Sequence, residues 1–338
     1  MAGRHSNQYQ RQRAASQTVC LTVGQPALAV PSSLLAQIAE LPPEPDGQPR
    51  PCGQVWGGSC PTPVGPPSWS HDNHPDRDSR LGTAQRQDVA PSILQRLSSD
   101  PDPVIRRAVA KNPATPGATL LQMQTDGNSN VRLLVANHPS TPPPALTGLS
   151  RDPDSDVRCA VAGRQRCPEL ILETLSRDKA HTVRVTVANN RPTSPEVLER
   201  LAQDRDTLVR QAAGSNPHTP LHVLEHLSQD GNKDVRSGVA LNVACPPHIL
   251  GRLSQRRQHW IVRSHTGSNP ACPVPILRTL SRDSNVNVRE EVASNPATPP
   301  DILERMLVDR LEVAEAAAGN PNLPPASLAI WQLVHQGP

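Results

Sequence analysis

The sequence contains no phenylalanine and a single tyrosine, Tyr9, among its 338 residues. Aromatic side chains normally supply much of the bulk of a compact core. A core without them must be built from Leu, Val, Ile and Ala, which suits thin layers between small helices. The sequence also has no run of 18 apolar residues, so it predicts neither a transmembrane helix nor a membrane partner.

An excess of charge of one sign is missing too, because 34 Lys and Arg are nearly balanced by 31 Asp and Glu, which leaves a net charge of +3. This balance argues against a protein whose whole surface neutralises nucleic acid. The seven Cys are an odd number without tight spacing, which fits reduced thiols better than a disulfide scaffold. A signal peptide is disfavoured because Gly24, Gln25 and Pro26 interrupt the mildly apolar segment near the N-terminus. We therefore predict a cytoplasmic protein.

Proline is plentiful, with 39 residues, and two parts of the chain use it differently. In residues 1–73 it is irregularly spaced among Gly, Ser and Gln, and such a segment buries too little apolar surface to offset the entropy lost on ordering. We predict that residues 1–73 form a mostly disordered leader. A short amphipathic helix near residues 31–40 is the expected exception, since it begins at Pro31 and looks like half of the repeat described next.

Residues 74–338 repeat themselves about every 26 residues. The clearest column is an Arg that follows Val or Ile, and its members are 26 residues apart, with one step of 27 between Arg236 and Arg263. The column consists of Arg106, Arg132, Arg158, Arg184, Arg210, Arg236, Arg263 and Arg289. With a degenerate unit at each end, the pattern predicts about ten repeats.

Further columns accompany this Arg in most repeats. An Asp lies six residues before it, an Asn lies six residues after it, and a Thr-Pro or equivalent follows the Asn. We expect the Thr hydroxyl to cap a helix that begins at Pro, and the Asn to close the preceding helix in the left-handed conformation. The Leu pattern after Pro then predicts a longer helix, and the Val-Arg segment predicts a shorter one.

One such pair of helices cannot bury its apolar stripe alone, so the units are expected to stack into an all-α solenoid. Residues 283–299, with the sequence DSNVNVREEVASNPATP, resemble the repeat of the leucine-rich repeat variant family. The resemblance extends over about three quarters of the chain. It implies alternating α and 3-10 helices in a right-handed superhelix without strands, comparable to ARM and HEAT arrays. Family members are similar to bacterial proteins, and the resemblance implies a fold more than an activity.

Some members of that family carry an N-terminal iron–sulfur module held by closely spaced Cys. The leader contains Cys20, Cys52 and Cys60, which lack such clustering, so a cluster is kept only as a minor alternative and no cofactor is expected. Within the array, a Cys takes the Thr position of three repeats and is expected to be structural. These residues are Cys167, Cys245 and Cys272.

The Arg column, represented by Arg184 and Arg210, leaves two interpretations open. The first is an ion pair with the Asp column across each turn, and the second is an exposed strip that binds an anionic ligand. The repeat is interrupted between Leu253 and Pro273, where one residue is inserted and the Asp column has Arg256 instead of Asp.

Basic and aromatic residues are concentrated in the interrupted repeat, which departs most from the others. They are Arg256, Arg257, His259, Trp260 and His265. Drift of one repeat would explain this composition, and so would a recognition patch that combines ring stacking with charge.

The sequence contains no Gly-rich phosphate loop and no Gly-x-Ser-x-Gly motif, and its carboxylates recur as repeat columns instead of forming a local pair. It therefore predicts a non-enzymatic scaffold whose partner is another protein. Binding of nucleic acid or another anionic ligand along the Arg column is the alternative, and an iron–sulfur redox protein is the lesser one. A steep dependence of affinity on salt would separate nucleic-acid binding from the leading hypothesis.

Overall fold

Every helix and turn described below lies within residues 76–335, the part of the chain that this computed structural model describes. All regular secondary structure in that range is helical, so the predicted all-α class is confirmed. None of these helices combines the length and the apolar character needed to cross a bilayer. The predicted leader at 1–73, its helix near 31–40 and Cys20, Cys52 and Cys60 lie outside the described residues.

Twenty helices, numbered α1 to α20, alternate between two types. The odd-numbered helices, which carry the Val-Arg segments and are called Val-Arg helices here, are α1 Arg77–Gln85, α3 Pro103–Lys111, α5 Ser129–Asn137, α7 Ser155–Ala162, α9 His181–Asn189, α11 Thr207–Ser215, α13 Lys233–Leu241, α15 Trp260–Ser268, α17 Val286–Ser294 and α19 Leu311–Ala318. The even-numbered helices, called Leu helices, are α2 Pro91–Leu97, α4 Gly117–Met123, α6 Pro143–Leu149, α8 Glu169–Leu175, α10 Pro195–Leu201, α12 Leu221–Leu227, α14 Pro247–Leu253, α16 Val274–Leu280, α18 Pro300–Met306 and α20 Pro325–His335.

The two helix types alternate as expected, but their relative lengths are the reverse of the prediction. The Val-Arg helices α9, α11 and α13 have 9 residues each, whereas the Leu helices α10, α12 and α14 have 7. In many Leu helices a Ser occupies the C-cap, as Ser150 does, whose Oγ donates to Thr147 O at 2.8 Å. Helices α4 and α10 have Gln124 and Ala202 there and are equally short, so the length of 7 residues does not depend on this Ser. Both types are α-helices, so the 3-10 helices implied by the family resemblance are not found between residues 76 and 335.

Most Val-Arg helices begin at a capping column that the sequence interpretation missed. In most repeats an Asp or Asn stands two residues after the column Asp, and its side chain accepts a hydrogen bond from the first turn of the helix. Asp206 Oδ1, for example, accepts from Leu208 N at 2.8 Å. The spacing Asp-x-Asp or Asp-x-Asn was the available signal for this cap. It does not set the helix length, because α9, with Ala180 at its N-cap and no side-chain hydrogen bond there, also has 9 residues.

The core runs through the stack as two apolar clusters, each continuous over several layers, one from Ala84 to Val262 and one from Cys272 to Leu323. In α9, Val183, Val187 and Ala188 are fully buried, and they belong to the same cluster as buried Val197 and Leu201 of the following Leu helix. Successive Val-Arg helices pack against each other more extensively than successive Leu helices do. The Val-Arg helices therefore form the closely packed row of the array, and the Leu helices form the more open one.

The closest approach between two Val-Arg helices depends on a glycine. A Cβ added to Gly238 of α13 would lie 2.5 Å from the main-chain oxygen of Gln211 in α11, which is nearer than a real Cβ contact. Because the obstructing atom belongs to the backbone, no side-chain rotation can relieve the contact. The helix spacing at this layer therefore requires a residue without a side chain.

We predict that Gly238→Ala lowers the free energy of unfolding, measured by urea denaturation, by about 1–2 kcal/mol. Overpacking costs about 1–3 kcal/mol, and the better helix propensity of Ala offsets at most about 1 kcal/mol of that. Gly82→Ala in α1 is the matched control, because nothing lies within 4 Å of the added Cβ and the change should be neutral or stabilising. Equal effects of the two substitutions would contradict the close packing.

Candidate binding surfaces

A row of ion pairs, called the Arg–Asp ladder here, joins each layer to the next. Arg184 donates from Nε to Asp204 Oδ2 at 2.6 Å and from Nη2 to Asp204 Oδ1 at 2.9 Å. Its remaining Nη1 donates to the main-chain oxygen of Asp178 at 2.8 Å. The same pairing joins Arg80–Asp100, Arg106–Asp126, Arg132–Asp152, Arg158–Asp178, Arg210–Asp230, Arg263–Asp283 and Arg289–Asp309.

Each ladder pair spans two layers, which corrects the expected pairing across a single turn. The carboxylate lies 20 residues after its Arg, in the following repeat, and the Asp six residues before the Arg contributes only its carbonyl. The Arg184 and Asp204 side chains are only 9% and 11% exposed. Burial raises the pKa of the Asp204 carboxyl, but hydrogen bonds from Arg184 and from Asp206 N outweigh burial and hold that pKa below its ordinary value.

The ladder supports the first interpretation of the Arg column, in which each Arg forms an ion pair within the stack. In Arg184 and Arg210, Nε, Nη1 and Nη2 all donate within the stack, so little of either side chain is left to meet a ligand. Their use as an anion-binding strip stays a prediction. It would require Asp204 or Asp230 to be displaced from an almost buried bidentate pair.

The Asn column forms a second interlayer row, and this differs from its expected role. Asn216 is in an extended conformation, with φ −72° and ψ 128°, and not in the left-handed one. Its Nδ2 donates to Ala188 O at 2.8 Å and to Asn190 O at 3.0 Å in the preceding layer. The Asn side chain therefore satisfies main-chain carbonyls at the end of the previous Val-Arg helix, which a left-handed cap could not do.

The Thr column also acts on the helix before it and not on the helix after it. Thr115 Oγ1 donates to Val109 O at 2.6 Å, near the end of α3, whereas the residue that caps α4 is Pro116, without a side-chain hydrogen bond. The predicted N-cap role is therefore wrong. The hydroxyl is held over the carbonyl end of the Val-Arg helix because the chain turns there before the Leu helix starts.

The three Cys of the Thr column are buried thiols. Burial raises the pKa of Cys167 to about 11 and those of Cys245 and Cys272 to about 12. At neutral pH they are therefore protonated and poor nucleophiles or ligands. Within residues 76–335, no three His, Cys, Asp or Glu side chains are arranged to hold a metal ion.

The interrupted layer breaks the ladder at one step. Arg236 has no Asp at the expected position, where the sequence has Arg256, and its Nε donates instead to the neutral Gln258 Oε1 at 3.0 Å. Its Nη1 keeps the usual bond to the main-chain oxygen of Asp230, at 2.5 Å. A carboxylate is thus replaced by an amide, and the charge of Arg236 has no ion-pair partner among the described residues.

The other predicted residues of this layer are divided between surface and core. Arg256, Arg257 and His259 are exposed, and His259 caps α15 by accepting from Ile261 N at 3.2 Å. Trp260 is half-buried and packs against the C-terminal part of the core, with its ring centroid 5.7 Å from that of His259. The structure therefore groups the two Arg and His259 on the surface, while Trp260 has a packing role.

His265 points into the stack and not outward. It is half-buried, and its Nδ1 has no hydrogen-bond partner in the described part of the chain. Burial lowers the pKa of His265 to about 4, although the nearby Asp234 favours the charged form. The ring is therefore neutral at pH 7, which removes it from a cationic patch at that pH; a role in ligand binding stays a prediction.

The two positions directly after each ladder Arg are occupied by residues of different chemistry in different repeats. They are apolar in the middle of the array, where Leu133, Leu134, Cys159, Ala160 and Val185 are half-buried against the core. The same columns are closed by tight packing in α11 to α15, where Ala212, Gly238 and Ser264 are buried. At these two positions, apolar side chains are therefore partly open to solvent on α5, α7 and α9, but not on α11, α13 and α15. We call this set of residues the apolar strip.

Three stretches of the chain match the family model described as leucine rich repeat variant: residues 130–154, 181–206 and 286–311. Each stretch includes a Val-Arg helix that begins or nearly begins it, so the match follows the structural repeat. These three stretches are therefore similar to repeats of this family, and the resemblance seen in the sequence is confirmed there.

The chain is also similar to two solved structures. One is a leucine-rich repeat variant with a novel repetitive structural motif, which is 28% identical over 65% of this chain and 87% of the other, with a TM-score of 0.45. The other is a crystal structure of an engineered protein, 14% identical over 75% of this chain and 94% of the other, with a TM-score of 0.30. A comparison with curated proteins finds no match.

Removing one ladder Arg should destabilise the stack strongly. We predict that Arg184→Ala lowers the free energy of unfolding by about 3–5 kcal/mol, because it leaves the Asp204 carboxylate buried without its partner. Arg177→Ala is the matched control, since Arg177 is 63% exposed and its pair with Glu173 should contribute about 0–1 kcal/mol. Urea denaturation measures both, and a loss at Arg184 no larger than at Arg177 would exclude a structural ladder.

His265 should make stability fall in mild acid. Because its folded pKa of about 4 lies below its ordinary value near 6.5, its contribution is fully present above pH 6.5 and is lost as the pH falls towards 4. We predict that His265→Asn flattens the decline in the urea midpoint between pH 6.5 and about 4.5. The same substitution at exposed His181 controls for the loss of one histidine. An unchanged pH profile in His265→Asn would refute the assignment.

Proposed function

We propose that this leucine-rich repeat variant protein is a non-enzymatic scaffold that binds another protein along the solvent-facing side of its Val-Arg helices. The observation that carries the proposal is the apolar strip on α5, α7 and α9. It lies on a rigid framework whose Arg, Asp, Asn and Thr columns are used up by contacts between and within layers. The positions that vary between repeats, directly after each ladder Arg, are then the ones that can recognise a partner.

The apolar strip has the composition of a protein-binding surface. Leu133 and Leu134 lie on α5, Cys159 and Ala160 on α7, and Val185 on α9, in equivalent positions of three successive layers. Each is partly covered by the core and keeps part of its surface in water. A partner that covers this strip gains the burial of contiguous apolar surface, which is the main favourable contribution at the centre of a protein interface.

Charged residues at the two ends of the same columns add direction to this face. Arg107 lies on α3, before the strip, whereas Glu290 and Glu291 lie on α17, after it. Complementary charges on a partner would fix its orientation and exclude the reversed one, since like charges brought together are unfavourable. The face therefore suits an elongated partner with an acidic end near α3 and a basic end near α17.

Catalysis is disfavoured by what the buried ionisable groups do. The ladder Arg and Asp neutralise each other in fixed bidentate pairs, and a reacting group would have to leave such a pair. The buried thiols are protonated at neutral pH. We therefore infer that the molecule acts by binding and presents its partner without changing it chemically.

The proposal predicts that Leu133→Ser reduces the amount of a specifically retained protein by about tenfold, since about 1.4 kcal/mol of lost burial changes an affinity by that factor. The measurement is affinity capture by the full chain from a cell lysate, quantified by mass spectrometry. The control is Leu170→Ser on α8, because Leu170 is 74% exposed and lies on a Leu helix, away from the strip.

Both variants must fold as the unmodified chain does. Their urea midpoints should therefore differ from its midpoint by no more than a surface substitution would cause. A retained protein that is lost with Leu133→Ser and kept with Leu170→Ser supports the proposed face. Retained proteins that respond equally to both variants, or the absence of any protein that depends on Leu133, would count against it.

A further inference from the structure

The turns that carry the ladder Asp residues have a distinctive charge. Of the residues directly before or after a ladder Asp, from Asp100 to Asp309, none is acidic and six are basic. These six are Arg151, Arg177, Lys179, Arg205, Arg282 and Arg310. The bias lies in the turns between a Leu helix and the following Val-Arg helix, and so along one edge of the stack.

These basic side chains are available to a ligand. All six are exposed, and five of them form no ion pair with another residue in the range 76–335. Arg177 is the exception, because its Nη2 lies 3.6 Å from Glu173 Oε1. Both of those side chains are largely exposed, at 63% and 45%, and such a surface pair is weak enough to exchange for another anion.

The interrupted layer strengthens the same edge. Arg256 and Arg257 occupy the turn in which a ladder Asp is missing, and neither forms an ion pair with a described residue. The partner of Arg236 in this layer is the neutral Gln258. One negative charge is thus lost and two positive charges are gained at a single turn.

Few carboxylates on the same turns oppose this row. Ladder Arg and Asp cancel one another, and Asp154 and Asp206 are engaged as caps, accepting from the main-chain N–H of Asp156 and Leu208. Asp234 lies 3.2 Å from Lys233. The eight cations thus outnumber the five carboxylates that lie on the same turns or in the first turn of the next helix, although the whole chain carries a net charge of only +3. These carboxylates are Asp154, Asp156, Asp206, Asp234 and Glu312.

The cations form a line, because each turn stands above the previous one in the stack. Every complete ladder step fixes this alignment, since an Arg in one layer holds the Asp of the next. Layers of packed helices are about 8–10 Å apart, so the six steps from Arg151 to Arg310 extend for about 50–60 Å. The turn at Asp230 has no flanking cation, but every other turn from Arg151 to Arg310 carries one or two. Such a line of positive charges fits a polymer that carries a negative charge on every unit. A membrane surface would instead favour cations spread over a plane.

We propose that this basic turn row, formed by the six flanking cations with Arg256 and Arg257, binds the phosphodiester backbone of a nucleic acid. The row differs from both the ladder and the apolar strip, so it adds a second binding surface to the proposed scaffold. Contacts are to phosphates, because the row offers guanidinium and ammonium groups and Trp260 is occupied by packing. The affinity is therefore expected to depend little on the base sequence of the nucleic acid.

The test measures fluorescence anisotropy with labelled single-stranded DNA, single-stranded RNA and duplex DNA of roughly 30 units, between about 50 and 200 mM salt. The substitutions Arg177→Gln, Lys179→Gln and Arg205→Gln are combined in one variant, since these residues are exposed and lie in adjacent turns. We expect an affinity loss of about tenfold or more at the lowest salt. The slope of log affinity against log salt should become shallower by about 2–3.

The control variant combines Lys111→Gln, Arg166→Gln and Arg191→Gln, which lie at or just after the C-terminal ends of Val-Arg helices. These three residues are also exposed and lie away from the row, and the variant has the same net charge as the first one. We expect its affinity to change by less than about twofold. The variant Leu133→Ser should bind nucleic acid as the unmodified chain does, which keeps this test independent of the proposed protein partner.

Three outcomes would overturn the proposal. The first is the absence of binding to any of the three nucleic acids at the lowest salt. The second is an equal loss of affinity in the two triple variants, which would show that net charge alone matters. The third is binding of poly-glutamate, or of vesicles with equal parts phosphatidylcholine and phosphatidylserine, as tight as that of nucleic acid. Preference for one of the three nucleic acids supports the proposal and identifies the strand type.

Discussion

The bidentate pair between an Arg and the Asp of the next layer is the contact on which the rest of the stack depends. A Leu helix of 7 residues and a Val-Arg helix of 9 bury only a narrow apolar stripe, so a layer gains stability mainly from its neighbours. The pair aligns those neighbours, as Arg184 does when one guanidinium binds Asp204 of the next repeat and Asp178 O of its own. The row of cores, the position of the turns and the spacing of the exposed columns follow from that alignment.

The repeat period and the all-α class could be predicted from the sequence because both depend on spacing along the chain. The roles of the Thr and Asn columns could not, since their hydrogen bonds run to residues in an earlier turn or layer. Local propensity assigns Thr-Pro to a helix start, yet Thr115 reaches backward to Val109 O. Similarly, the position of Arg256 was visible, whereas the substitution of Gln258 for the missing carboxylate needed the three-dimensional arrangement.

The scaffold separates its charges by location. Ladder charges are paired and nearly buried, carboxylates such as Glu199 and Glu225 lie on the Leu helices, and unpaired cations lie at the turns. A balanced overall composition therefore conceals surfaces of different character. This explains why net charge, which argued against a nucleic-acid surface over the whole molecule, says little about a single edge of it. The apolar strip belongs to yet another face, so a stack of nearly identical layers can offer two different ligands separate places.

The Asn row has a consequence for how the protein is made. Each Asn donates to carbonyls of the preceding layer, as Asn216 does to Ala188 O and Asn190 O. Each ladder Arg pairs with an Asp that lies 20 residues later in the chain. A layer is therefore completed only by the layer that follows it in the chain. During synthesis, which proceeds from the N-terminus, the last repeat outside the ribosome always has open carbonyls and an unpaired guanidinium, and the next repeat closes both. The C-terminal end of the folded stack is therefore the end to which each new layer is added, and the layers assemble in the order in which they are translated.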